Sequence, residues 1–261
     1  MSTAANLTDH GTKSFSCRDC HARERCLPAG MNDTDCAKVE GFILRQHHLR
    51  RGATLQSIHE PALGRLYAIR HGQFKSYQFD HRGEQCITRL SGKGDLLGLD
   101  SISLTHYTDT TTAVCDSIVC EFSYVQLVET GQHFPGLFLR LEQMLSKELA
   151  RLYDLTLLLR YHHAEQKFAQ FLLQLVWKET QQNGKGPYLD LVLSRKEVAD
   201  YLSVTHATIA RLLSRLQRLG ILSVRHRHLQ LLDRPALQQI ATGQYAPSPA
   251  THESTLEHAT L

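Results

Sequence analysis

Three cysteines, Cys17, Cys20 and Cys26, stand in the run C-R-D-C-H-A-R-E-R-C near the start of the chain. Intervals of two and five residues let one loop wrap several thiolates around one metal centre. Soft thiolate ligands select zinc, copper(I) or iron–sulfur clusters. A fourth ligand must come from elsewhere, and the chain offers Cys36, Cys86, Cys115 and Cys120. Seven cysteines are an odd count, which argues for reduced thiols rather than a disulfide framework.

The second stretch with chemical character is residues 194–219. Ser194 followed three residues later by Glu197 is a capping box that starts a helix through Leu202. Ser203-Val204-Thr205 makes a turn, with Thr205 placed to cap a second helix from His206 to Leu219. That helix turns Ile209, Leu212, Leu213, Leu216 and Leu219 inward and stops at Gly220. Its first turns expose His206, Ala207, Ala210 and Arg211, as a helix that reads base edges in a major groove would. Residues 221–232 have strand character around Arg225-His226-Arg227-His228, as in a wing that touches the DNA backbone. Residues 190–245 hold eight basic side chains (Arg195, Lys196, Arg211, Arg215, Arg218, Arg225, Arg227, Arg234) against four acidic ones (Asp190, Glu197, Asp200, Asp233). Such a patch meets phosphates, and double-stranded DNA is the expected partner.

Both stretches need elements to hold them. Residues 1–35 are polar, with turn signals at Pro28, Gly30 and Asn32-Asp33, and read as a cysteine-bearing loop with little structure of its own. Over residues 36–135, short strand-like runs (Tyr67–Ile69, Phe74–Phe79, Cys86–Leu90, Ile118–Phe122) alternate with turns at Gly64, Gly72, Arg82-Gly83, Gly92 and Gly94. This punctuation predicts an antiparallel roll or barrel. Past Pro135 the period becomes helical, and Phe138, Leu145, Leu152 and Leu159 recur at sevens. Either Leu141 and Leu155 or Leu149 fill the intermediate heptad positions. The seam predicts a dimerisation helix over residues 136–162, with Phe138, Leu145, Leu149, Leu152 and Leu159 at the interface of a homodimer. A helix buried against its own domain gives the same pattern. Residues 163–242 then form a winged helix-turn-helix, with an amphipathic helix from Ala164 to Thr180 and a linker at 181–187. Residues 243–261 read as a disordered tail. The expected class is therefore α+β: an N-terminal antiparallel β-roll of the jelly-roll (double-stranded β-helix) type, a long dimerisation helix and a C-terminal winged helix-turn-helix.

Composition is ordinary for a globular protein of 261 residues, with 42% hydrophobic and 21% charged residues and a net charge of +3. No apolar run reaches the roughly 18 residues of a membrane helix. The N-terminus lacks the basic and apolar regions of a secretory signal. A cytoplasmic location and no membrane partner are expected. No Ser-His-Asp, P-loop or paired-carboxylate arrangement stands out, so no enzyme is expected.

An N-terminal cysteine loop, a β-roll, a dimer helix and a winged helix-turn-helix, in this order, resemble the Crp/Fnr superfamily of bacterial transcription regulators. The chain is most similar to its Fnr-type oxygen sensors. The resemblance covers roughly residues 15–240. It is sharpest at C-x2-C-x5-C, Gly94-Asp95-Leu96-Leu97-Gly98, Ile118-Val119-Cys120-Glu121-Phe122 and Thr208-Ile209-Ala210-Arg211-Leu212-Leu213. It implies an oxygen-labile [4Fe–4S] cluster, homodimerisation while the cluster is intact, a two-fold symmetric operator and RNA polymerase as a partner. Cys120 lies in the segment that matches the family's fourth cysteine, so the implied ligands are Cys17, Cys20, Cys26 and Cys120. In a continuous strand Cys115 and Cys120 face opposite sides. Cys115, Cys36 and Cys86 are then expected to be small semi-buried residues. The implied DNA contacts are Ser203, Thr205, His206, Ala207, Thr208 and Arg211.

Other effectors compete with the cluster. Four thiolates also suit a structural zinc ion. Haem or nitric oxide sensing is a further option in a chain with 16 histidines, His71 among them in the roll. A cluster-bearing redox protein is another. A cyclic nucleotide needs a cation on its phosphate. Residues 98–120 contain no Lys or Arg, which disfavours cyclic AMP. The recognition helix also departs from the family pattern, which commonly has glutamate where Ala207 stands and often a small polar residue at Ala210. Glutamate accepts from cytosine N4 and arginine reads guanine. Arg211 keeps the second contact, while Ala207 offers only a methyl surface, so His206 or a different operator would have to compensate.

Overall fold

The computed structural model describes residues 16–131, 134–161, 163–183, 188–190, 193–226 and 228–245. The tail expected over 243–261 lies outside them from residue 246 on, as does the linker from residue 184 to 187. In chain order, a 3-10 turn at Arg23–Arg25 precedes α1 (Asp33–Glu40), β1 (Ile43–Leu49), β2 (Thr54–Gln56), β3 (Arg65–His71), β4 (Gln73–Phe79), β5 (Gln85–Gly92) and β6 (Leu96–Leu97). A second 3-10 turn at Leu99–Ile102 leads to β7 (Thr110–Ala113) and β8 (Ser117–Ser123). Then follow α2 (Tyr124–Gly131), α3 (Pro135–Arg160), α4 (Ala164–Asn183) and β9 (Tyr188–Asp190). The chain continues through α5 (Arg195–Leu202), α6 (His206–Arg218), β10 (Leu222–Arg225), β11 (His228–Leu231) and α7 (Arg234–Thr242).

These elements form two compact units. One is the chain through Leu157 together with the segment from α5 to His206, and the other is Leu158 to β9 together with everything from Ala207 on. In the first unit the roll consists of two antiparallel four-stranded sheets, ordered β1-β8-β3-β6 and β2-β7-β4-β5. Alternation along β3 and β8 builds two cores from one sheet. Tyr67, Ile69 and Val119 point into the roll with Leu49, Phe74 and Leu97. Leu66, Ala68, Cys120 and Phe122 point the other way, onto Leu27, Val39, Leu127, Leu137, Leu141 and Met144. One face of this sheet is thus lined by the other strands and the opposite face by helices and the cysteine loop. Gly72 closes the β3–β4 hairpin at φ +93°, where an added Cβ would fall 2.0 Å from Ser117 Oγ. No side chain fits there.

Several expectations are corrected. Residues 1–35 do not run as an unstructured loop to their end, because Asn32 caps α1 by accepting from the Asp35 N–H. The Asn-Asp pair serves as a cap and first helical residue, since Cys36 and Val39 bury on the next turns. The helix expected to stop at Thr180 continues through Asn183. Four strands without a clear alternating pattern, β1, β2, β6 and β7, complete the roll. Cys115 precedes β8 rather than sharing a strand with Cys120. It is half-buried, while Cys36 is fully buried and Cys86 exposed rather than semi-buried.

In the second unit α4 packs on α7, with Phe168, Phe171, Leu172, Leu237 and Ile240 buried. Asp233 caps α7 by accepting from the Ala236 N–H. Strands β10 and β11 form the expected wing, and β9 adds a third strand to β11.

Candidate thiol centre and nucleic-acid interface

Cys120 lies in the middle of β8, paired with Gln46 on β1 and Ala68 on β3. It faces the helix side, beside Leu27 and a half-buried Cys26. Three of the thiols, Cys17, Cys26 and Cys120, are raised, most by burial and further by charge on neighbouring thiols. Cys17 is raised by Cys120 and Cys20, Cys26 by Cys120, Cys17 and Cys20, and Cys120 by Cys20. In each of these three, desolvation is the largest cause, pushing Cys17 up to about 12 and Cys120 up to about 11. Burial raises Cys26 as well. At neutral pH Cys17, Cys26 and Cys120 are protonated, and a metal bound there would displace their protons.

N–H donors already aim at three of the sulfurs. Gln46 Nε2 donates to Cys120 Sγ at 3.3 Å and the Ala22 N–H to Cys20 Sγ at 3.4 Å. The Leu27 N–H donates to Cys26. Such bonds stabilise negative sulfur and tune cluster potentials. The donor set therefore fits a thiolate-bound centre. As placed, no three His, Cys, Asp or Glu side chains among the described residues stand close enough for a single metal ion.

The loop is held from three sides. Glu40 of α1 accepts from the Cys17 N–H. Gly94, at φ +89°, lies where an added Cβ would come within 2.4 Å of Arg25 Cβ, so the Gly-Asp-Leu-Leu-Gly turn must begin with glycine. Arg140 of α3 donates to the carbonyls of Arg25 and Cys26. Neither Gln46 nor Arg140 stood out in the sequence. Both act on groups far away along the chain, and neither carries a local signal.

Helix α3 has two apolar stripes. Leu137, Leu141 and Met144 are buried in the core that contains Leu27 and Cys120. Phe138, Leu145, Leu149, Leu152 and Leu159 are all exposed. Leu141 is thus an inward residue, and the exposed stripe runs through Leu149. The inward stripe continues with charge: Glu148 pairs with Arg89 of β5 at 3.0 Å and with Arg151 at 2.8 Å. Arg89, which also donates to the Leu96 carbonyl, is thereby committed.

The capping box is present as expected, with reciprocal Ser194 and Glu197 bonds. Glu197 also pairs with Lys75 of β4 at 2.7 Å, which places α5 in the first unit. Ser203 ends α5 in the left-handed region at φ +53°. On α6, Ile209, Leu213 and Leu216 are buried and Leu212 is half-buried; the helix ends at Arg218, and Leu219, expected inside it, lies half-buried in the turn that follows. Ser203, Thr205, His206, Ala207 and Arg211 are exposed and Thr208 is half-buried. A shallow groove along α6 is lined by Ala210, Arg211, Ser214, Arg215 and Arg218. Arg215 is held by Glu165 of α4 at 2.8 Å, leaving Arg211 the more adaptable cation.

Comparison with known proteins bears on both sites. The Crp-like helix-turn-helix domain matches residues 166–240, and the cyclic nucleotide-binding domain matches residues 46–133. The fumarate and nitrate reduction regulatory protein of Escherichia coli K12 is 31% identical over 231 residues, 88% of this chain and 92% of its own. The protein of the same name from Vibrio cholerae serotype O1 is 30% identical over 238 residues, 91% and 95% of the two chains. Among solved structures, FixK2 from Bradyrhizobium japonicum superposes with a TM-score of 0.67 at 26% identity, over 75% of this chain and 96% of its own. A CRP-family regulator from Thermus thermophilus has the same fold, with a TM-score of 0.63 at 21% identity over 78% and 100%. Similarity of this depth along nearly the whole of both chains makes the protein a member of the Crp/Fnr superfamily of DNA-binding transcription regulators.

Proposed function

We propose that this protein is an oxygen-responsive regulator that holds a [4Fe–4S] cluster on Cys17, Cys20, Cys26 and Cys120 and binds a two-fold symmetric operator as a homodimer. The observation that carries the reading is the packing of Cys26 against Cys120 in the core that supports α3, with Cys17 and Cys20 in the same loop as Cys26. When bound, the cluster supplies an oxygen-labile redox centre. The residues of the chain do the rest. Cys17, Cys20 and Cys26, ligated together with Cys120, tie the loop to the outer face of β8. Leu27, packed with Leu137, Leu141 and Met144, carries that order to α3. Phe138, Leu145, Leu149, Leu152 and Leu159 then meet their two-fold mates, which sets the spacing of two α6 helices at about one DNA turn. The protein acts in the cytoplasm and contacts RNA polymerase, as the family resemblance implies.

Anaerobic iron analysis and visible spectra of Cys→Ser variants test the ligand set. Cys17→Ser, Cys20→Ser, Cys26→Ser and Cys120→Ser are each expected to lose most of the chromophore. Cys115→Ser is expected to retain it, because that thiol precedes β8 and its sulfur lies 3.9 Å from Ser117 Oγ. Retention in Cys120→Ser with loss in Cys115→Ser would overturn the assignment.

At the other end, Arg211 specifies a guanine from the exposed face of α6. Arg211→Ala is expected to cost about 1–3 kcal/mol and to relax preference at one base pair per half-site. Selection from a randomised operator library reads this directly. Uniformly weaker binding with unchanged base preference would make Arg211 a phosphate contact instead.

A further inference from the structure

Arg140 occupies a position that neither the ligand set nor the seam explains. Its guanidinium donates from Nε to the Cys26 carbonyl at 3.0 Å and from Nη2 to the Arg25 carbonyl at 2.8 Å. Its remaining nitrogen, Nη1, reaches Gln143 Oε1 on the next turn at 3.3 Å. The Cys26 carbonyl already accepts from the Ala29 N–H at 3.1 Å, so Arg140 takes its second lone pair. A planar fork on two consecutive carbonyls fixes both the position and the direction of the peptide that carries a thiol ligand. Arg25 itself is seated close against Gly94, where an added Cβ would fall 2.4 Å from Arg25 Cβ.

The helix turn that carries Arg140 also carries both stripes of α3. Leu141 is buried in the core with Leu27, and Phe138 is 40% exposed at the start of the seam. A shift of the Arg25–Cys26 peptide therefore breaks two charge-assisted bonds to the turn from which the seam begins. Coupling of this kind requires that ligation favour one loop conformation over others. Free, the loop keeps its conformation through Leu27, Glu40 and Arg140. Ligated at Cys26, it loses the alternatives in which the two carbonyls turn away. The coupling is reciprocal: whatever ligation gives to α3, the fork gives back to retention of the ligand.

We propose that Arg140 is the positioning residue through which the ligation state of Cys26 reaches the dimer seam, an inference that rests on the thiol-bound cluster proposed above. The test compares wild type, Arg140→Met and Arg140→Lys, each as anaerobically loaded and as apo-protein. Amide hydrogen exchange and sedimentation equilibrium are read on every form, with iron and sulfide measured first. In wild type, loading is expected to raise protection at residues 17–27 and also at 136–145. Arg140→Met is expected to gain protection only at 17–27. The ratio of loaded to apo dimerisation constants should fall about tenfold, and the variant should lose its cluster several-fold faster in air. Arg140→Lys keeps the charge without the fork, should fall between the two, and serves where the methionine variant does not fold. A full gain of protection at 136–145 in both variants would overturn the proposal. So would an equal loss of dimer in loaded and apo forms, which is the mark of a merely structural side chain. A wild-type protein that holds no iron and sulfide would refute the cluster reading and this inference with it. That outcome is distinct from failure at Arg140 alone, where wild type loads and the variants respond as it does.

Discussion

Replacing Leu152 by aspartate is expected to weaken self-association of the apo-protein by roughly 10²–10³-fold and to make dimerisation strictly dependent on a loaded thiol centre. Leu152 is 44% exposed in the single chain, so it does not spend itself on its own roll. About half the ~1.5–3 kcal/mol worth of a fully buried leucine is then available at the seam, roughly 2 kcal/mol over both protomers. Two carboxylates facing each other across the two-fold axis add desolvation and repulsion of similar size. The sum, about 3–4 kcal/mol, corresponds to the stated fold-change. It follows that wild-type apo-protein keeps appreciable dimer and residual DNA binding, since leucine stabilises the seam without help from the loop. Sedimentation of both apo-proteins across micromolar concentrations decides the matter. A strictly monomeric wild type, with Leu152→Asp no different, would show that Leu152 has no mate.

On the opposite stripe, Glu148→Ala is expected to destabilise the first unit by about 1–3 kcal/mol, because removing the carboxylate of a half-buried network leaves two guanidinium groups under-satisfied. Glu148 is the carboxylate that joins Arg89 to Arg151. Arg89 Nε and Arg151 Nη1 are themselves buried without a hydrogen-bond partner among the described residues. Neither guanidinium can give up its charge, so the cost falls on the fold rather than on protonation. Leu149→Ala, one residue along but exposed, is expected to leave monomer stability within about 0.5 kcal/mol. Urea unfolding at a concentration where the protein is monomeric separates the two. A change below about 1 kcal/mol for Glu148→Ala would mean that Arg89 finds water.

The contrast between these stripes shows what was legible in the sequence. The exposed stripe was readable because Phe138, Leu145, Leu152 and Leu159 repeat at sevens and need no knowledge of any other element. The inward stripe shares the period but is broken by Glu148 and Arg151. A charged pair at heptad spacing inside an apolar row was the available sign of a buried partner. The capping box and the wing were likewise local patterns, and both are present. Strand β1 was missed because Ile43-Leu44-Arg45-Gln46-His47-His48-Leu49 does not alternate. Its register is set by β8, not by its own pattern. The loop thiols announced themselves by spacing, whereas the fourth rested on resemblance. Geometry now places Cys120 on the helix-facing side of β8, with Gln46 donating to its sulfur. Gln46 and Arg140 illustrate the remainder: each is an ordinary polar residue whose role exists only once distant backbone has folded against it.

The proposed regulator works only if its four thiols hold an oxygen-labile cluster that governs DNA affinity. Anaerobic purification followed by iron and sulfide analysis, a visible spectrum and operator binding before and after air tests it most directly. A brown protein with equimolar iron and sulfide is expected, one that bleaches in air and loses operator affinity as it does so. A colourless protein holding zinc, or a brown one whose operator affinity is unchanged by bleaching, would contradict it.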